Sequence, residues 1–133
     1  MGEPFQQTVL LVDDEATGRT FVKSVLECEG FQVFEAADGV DALVLLRSLG
    51  RTVDLLLTDV KMPRMTGAEL AQAVRSEYPG TPIVYISGER LESELHKPLR
   101  RMVFLPKPFR AQNLLDAVRS VLPAPASISA PVI

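Results

Sequence analysis

The sequence predicts an α/β protein built on an open, doubly wound parallel sheet of five strands, with helices on both faces. Three observations lead there. Short apolar runs alternate with amphipathic segments along the chain. The runs are almost continuously apolar, as strands are when helices cover both sides of a sheet. The length, 133 residues, suits one domain of ordinary size with a real core.

The elements follow in order. Thr8-Val9-Leu10-Leu11-Val12 is the first strand, and it breaks at Asp13-Asp14. Residues 16 to 29 read as a helix with Phe21, Val25 and Cys28 on one face, and Gly30 ends it. Gln32 to Ala36 is the second strand. Asp38 has the character of an N-cap for a helix through Arg47, closed by Gly50. Val53 to Thr58 is the third strand, ending at Asp59. Thr66-Gly67-Ala68-Glu69 matches a capping box, so a helix should begin there with Leu70, Val74 and Tyr78 inward. Pro82 to Ile86 is the fourth strand, ending at Ser87. A short helical segment is expected over Leu91 to His96, stopped by Pro98. Met102 to Leu105 is the fifth strand. The last helix, 112 to 122, turns Leu114, Val118 and Val121 inward, and Pro123 ends it. Residues 1–7 read as an extension, 8–122 as the domain, and 123–133 as a Pro/Ala/Ser-rich tail.

Composition narrows the function classes. No apolar run is long enough to span a bilayer, and the N-terminus has no basic stretch followed by an apolar core. Cys28 is the only cysteine, which excludes an internal disulfide; one inert core thiol in a cytoplasmic protein is the expectation. Residues 1–88 hold 7 basic and 13 acidic groups, and residues 89–133 hold 7 basic and 4 acidic ones. The basic excess is dilute and free of interleaved aromatics, so direct nucleic-acid binding is not expected.

In an open parallel sheet, ligands bind beyond the carboxyl ends of the strands. Asp13 and Asp14 stand there after the first strand, Asp59 after the third, Ser87-Gly88 after the fourth, and Lys107 after the fifth. Taken singly, each has an ordinary reading: an Asp after a strand caps a turn, a Lys is solvated, and Ser-Gly makes a loop. Convergence of all of them on one sheet edge favours a site. Three clustered carboxylates repel one another unless a cation lies among them. Hard oxygen ligands select Mg²⁺ or Mn²⁺ over zinc, and neither His96 nor Cys28 is close enough to ligate. A metal, a lysine and a hydroxyl donor suit a phosphoryl group. On these grounds Asp59 is either a metal ligand alone or also a nucleophile.

The motifs Leu11-Val12-Asp13-Asp14-Glu15, Thr58-Asp59-Val60-Lys61-Met62-Pro63, Ile86-Ser87-Gly88 and Leu105-Pro106-Lys107-Pro108-Phe109 resemble the receiver domain of bacterial response regulators. The likeness runs from Thr8 to Leu122. It implies a flavodoxin-like fold with strand order 2-1-3-4-5, and Asp59 as phosphoacceptor. It implies Asp13, Asp14, Asp59 and the Lys61 carbonyl around Mg²⁺ (or Mn²⁺). Ser87, Lys107 and the Gly88 amide would meet the phosphoryl oxygens, with a cis peptide before Pro108 and Phe104 as the switch aromatic. The implied partners are a histidine kinase or phosphotransfer protein and a downstream protein target, with no membrane contact; the chain itself would be a monomer or weak dimer.

Two features depart from the family pattern: Ser87 stands where Thr is common, which keeps the hydroxyl, and the stretch after it is altered. The stretch from Ser87 to Lys107 is short and contains Pro98, so a curtailed helix is expected there. The readout face would then lean on the last helix and on Arg100, Arg101 and Arg110. Lys61 and Glu89 rim the pocket, where they either pair across it or stand as two unrelated solvated charges. A phosphohydrolase of the haloacid dehalogenase type also uses an aspartyl nucleophile, but needs a second Asp two residues on; Lys61 stands there. A receiver that only binds is disfavoured by the intact set of site residues.

Overall fold

The computed structural model describes residues 6–88 and 101–122. Five strands lie in one parallel sheet: β1 (Thr8–Val12), β2 (Gln32–Ala36), β3 (Leu55–Asp59), β4 (Ile83–Ser87) and β5 (Met102–Pro106). Their order across the sheet is β2-β1-β3-β4-β5, as expected. Four helices stand among the described residues: α1 (Ala16–Cys28), α2 (Gly39–Leu49), α3 (Gly67–Glu77) and α4 (Ala111–Val121). The segment Leu91 to His96, expected as a further helix, lies outside the described residues.

The period of two along each strand divides the apolar residues between two cores. Leu10, Val12, Leu56, Ile83 and Tyr85 pack with α2 and α3 on one face. Val9, Leu11, Leu55, Leu57, Val84 and Ile86 pack with α1 and α4 on the other. Every residue of β1, β3 and β4 is buried, which is why those strands read as unbroken apolar runs. β2 is an edge strand with only Ala36 buried. Exposed ion pairs such as Arg47–Glu77 and Arg119–Glu29 link neighbouring helices. Such pairs contribute about 0–1 kcal/mol each, against roughly 1.5–3 kcal/mol for each fully buried Leu or Ile. The two cores therefore decide how the helices dock.

The helix ends match their signals. Asp38 caps α2 by accepting from the Asp41 amide at 2.9 Å, and Gly50 closes it in the left-handed region at φ 68°. The Thr66–Glu69 capping box at the start of α3 is present in both directions. β3 begins two residues later than expected, and Asp54 just before it turns its carboxylate to accept from the Thr8 amide at 2.7 Å and the Thr8 hydroxyl at 3.1 Å.

The expected apolar face of α1, with Cys28 as a core thiol, needs correction. Val22 and Leu26 are the buried residues, with Val25 partly buried beside them. Phe21 is 44% exposed and Cys28 is exposed. The apolar stripe through 21, 25 and 28 lies one residue, about 100° of helix rotation, from the stripe that meets the sheet. Cys28 is thus a surface thiol and not a core one.

Candidate functional site

The strands bring the expected residues to one edge. Asp13 follows β1, Asp59 ends β3, Ser87 ends β4, and Lys107 follows β5. The sheet ladder continues past the strand ends and holds these residues by their backbones. Asp13 donates its amide to Ala36 at 3.2 Å, Val60 to Ile86 at 3.2 Å, and Lys107 to Ser87 at 2.8 Å. An open pocket of about 530 Å³ lies above, lined by Asp14, Asp59, Lys61, Ser87, Gly88 and Lys107 among others. Asp13 and Asp59 are buried while Asp14 is exposed, and one carboxylate oxygen from each lies within 4.8 Å of the other two.

Lys107 Nζ lies 3.1 Å from one Asp59 carboxylate oxygen and 3.4 Å from the other. Burial, reinforced by the neighbouring Asp13 carboxylate, pushes the Asp59 carboxyl up to about 7, although Lys107 pulls the other way. At Lys107, burial disfavours the charge, but Asp59, Asp13 and Glu15 outweigh it and the ammonium is held above its ordinary value. One ammonium does not neutralise three carboxylates, and the unbalanced charge leaves room for a cation.

Two glycines shape this edge, and the sequence reading gave neither a role. A Cβ on Gly67 would lie 2.1 Å from the Asp59 carbonyl oxygen, so only glycine lets α3 start against the backbone of Asp59. The Gly67 amide donates to the Val60 carbonyl at 2.8 Å, closing the loop that follows β3. A Cβ on Gly18 would lie 3.1 Å from Asp13 Oδ2. Arg19 was also missed: its Nη1 donates to the Asp13 carbonyl at 2.6 Å while its Nε pairs with Glu35. A glycine placed just after a strand-end aspartate motif was the one available signal, for Gly67.

Phe104 is not in the pocket. It is partly buried on β5, opposite Tyr85 in register, with ring centroids 5.4 Å apart and planes 29° apart. Burial pushes the Tyr85 hydroxyl up to about 12, so that ring is neutral. The peptide between Lys107 and Pro108 is cis, as the resemblance implied. Glu89 lies outside the described residues, and its pairing with Lys61 with it.

The sequence matches the family model of the response regulator receiver domain over residues 9–119. The chain is a receiver domain of the response regulator family. It is 37% identical over 118 residues to the sensor kinase CckA of Brucella abortus, covering 86% of this chain and 12% of that one. It is 38% identical over 116 residues to the transcriptional regulatory protein CpxR of Escherichia coli, covering 86% of this chain and 48% of that one. This receiver domain therefore spans half or less of these relatives. Among solved structures, the chemotaxis response regulator CheY4 of Vibrio cholerae superposes with a TM-score of 0.78 at 36% identity, covering 89% of this chain and 100% of that one. The receiver domain of the hybrid histidine kinase CckA superposes at 0.75 with 33% identity, covering 87% of this chain and 99% of that one. The family makes this a signalling domain of two-component systems and not a classical enzyme. No helix among the described residues is long and apolar enough to cross a membrane.

Proposed function

We propose that Asp59 accepts a phosphoryl group from a histidine kinase or phosphotransfer protein. The observation that carries this reading is the position of Lys107 Nζ, 3.1 Å from a buried Asp59 carboxylate that shares its site with two further aspartates. The donor set fits Mg²⁺, or Mn²⁺: hard oxygens, excess negative charge and a pocket open to water. Asp13, Asp14, Asp59 and the Lys61 carbonyl would hold it, and when bound it would neutralise charge shared with the phosphoryl oxygens.

An Asp59 oxygen attacks phosphorus, a P–O bond forms, and the P–N bond to the donor imidazole breaks with its electron pair leaving on nitrogen. Lys107, the Ser87 hydroxyl and the Gly88 amide meet the three phosphoryl oxygens, where charge-assisted hydrogen bonds are strongest. The domain thus assists its own phosphorylation without turning over a substrate. Phe21 on α1, tilted against Phe109 at 6.3 Å, offers the donor an apolar edge near this end of the sheet. The working compartment of such a relay is the cytoplasm. Residues 8–122 form the whole receiver unit.

Treatment of the full chain with acetyl phosphate tests the reading. Intact mass spectrometry is expected to find one added phosphoryl group in Mg²⁺ and none in EDTA. Equal uptake in both would remove the metal from the scheme, and no uptake in either would remove the phosphoacceptor.

Readout is proposed to run through Ser87 and Phe104. The hydroxyl moves toward the phosphoryl oxygens, and the Phe104 ring, already stacked on Tyr85, turns further inward into the space the hydroxyl vacates. A two-state shift requires different contacts in each state, and these residues supply them. Beryllofluoride with Mg²⁺ mimics the phosphoryl group, and amide NMR shifts are expected to spread from the pocket into β5 and α4, where a downstream protein target would dock. Shifts confined to the pocket would end this route.

A further inference from the structure

The loop between β3 and α3 carries Lys61, and its two ends are held differently. At its base, Val60 is buried and bonded to both Ile86 and Gly67. Its outer part reaches across to the start of α2. Arg64 Nε donates to Asp38 Oδ2 at 2.9 Å, and Arg64 Nη2 donates to the same oxygen. Nη2 also reaches Asp41 Oδ1 at 3.4 Å. The other Asp38 oxygen is already engaged, capping α2 through the Asp41 amide. Asp38 therefore serves two elements at once. The adjacent Met65 packs over Gly39 so closely that a Cβ there would lie 2.7 Å from its sulfur. Arg64 itself has φ 70°, a left-handed conformation that a residue with a side chain keeps only when its surroundings hold it. An ordinary exposed ion pair does not need a strained backbone to form; here the strain and the fork occur in one residue.

We propose that Arg64 is a positioning residue for the divalent-cation site. It fastens the β3–α3 loop to the N-terminus of α2 and thereby fixes where the Lys61 carbonyl stands. The inference rests on the metal reading of the pocket given above. It assigns to the Asp38–Arg64 pair a role in cation affinity, distinct from helix capping.

The test is Mn²⁺ binding to the full chain, followed by the electron paramagnetic resonance signal of the free ion, with thermal melting measured in parallel. Arg64→Gly removes the guanidinium and relieves the left-handed backbone, so a loss of affinity in this variant does not come from strain. Its Mn²⁺ dissociation constant is expected to rise about tenfold, the low end for outer-shell partners of metal ligands. Asp38→Asn keeps a capping oxygen and should weaken binding similarly. The double variant should be no weaker than either single one, because both remove the same link. Arg64→Lys should recover part of the loss. Arg64→Gly binding Mn²⁺ within about twofold of the parent would overturn the proposal, as would additive losses in the double variant. A parent chain that binds no Mn²⁺ would overturn the metal reading and this inference together.

Discussion

Asp59→Asn is expected to take up no phosphoryl group and, in metal-free buffer, to be more stable than the parent at pH 8. Both effects come from one carboxylate. The side chain sits beside Asp13 with its carboxyl raised from the usual 3.8 to about 7 by burial and by that neighbour. A raised acid favours the protonated folded state. The metal-free protein therefore loses stability as pH climbs from the ordinary carboxyl range through about 7, and the loss is complete above it. The upper bound is about 4 kcal/mol, and screening by water in an open pocket reduces it to about 2 kcal/mol. Asparagine carries no charge and lacks this slope. Urea denaturation in EDTA across pH 4 to 8, on both proteins, measures the difference. Adding Mg²⁺ should raise the parent at pH 8 and leave Asp59→Asn less changed. Parallel pH profiles in EDTA would contradict the burial account of Asp59.

Gly67→Ala is expected to destabilise the domain by about 3 kcal/mol, near the upper end for overpacking. At an open helix position the same change would stabilise by roughly 0.5–1 kcal/mol. The sign is decided by the Asp59 carbonyl oxygen, 2.1 Å from the new Cβ, and by the Asp59 carbonyl carbon at 3.0 Å. Both atoms are backbone at the end of a fully buried strand and cannot turn aside. Gly88→Ala is the control: among the described residues a Cβ there meets nothing within 4 Å. Denaturant midpoints for the two variants should differ widely, and equal midpoints would show that α3 can retreat from Asp59 at little cost.

Most of the site was legible because strand ends are legible. An apolar run that stops at Asp13 or Asp59 puts that residue on the sheet edge whatever the details of packing. The same logic placed Ser87 and Lys107. Features that depend on how separate elements approach were not legible. Gly67 matters through a contact with Asp59 across a loop, and Arg64 through Asp38, 26 residues away. The rotation of α1 went wrong for a related reason. Phe21, Val25 and Cys28 form a plausible stripe, and only the sheet decides that Val22 and Leu26 face it. Asp54 was counted into β3 because nothing local reveals that its carboxylate serves Thr8, 46 residues earlier.

The misread Cys28 has a practical side. It is the sole thiol of the chain, and it is exposed at the far end of α1, roughly 20 Å along the helix from the pocket edge. The next residue, Glu29, is tied to Arg119 on α4 at 2.6 Å. A nitroxide or fluorophore attached there would sit at the seam between the first and last helices without touching the aspartates. The native sequence thus already provides one reporter position from which rearrangement of α4 can be followed in solution.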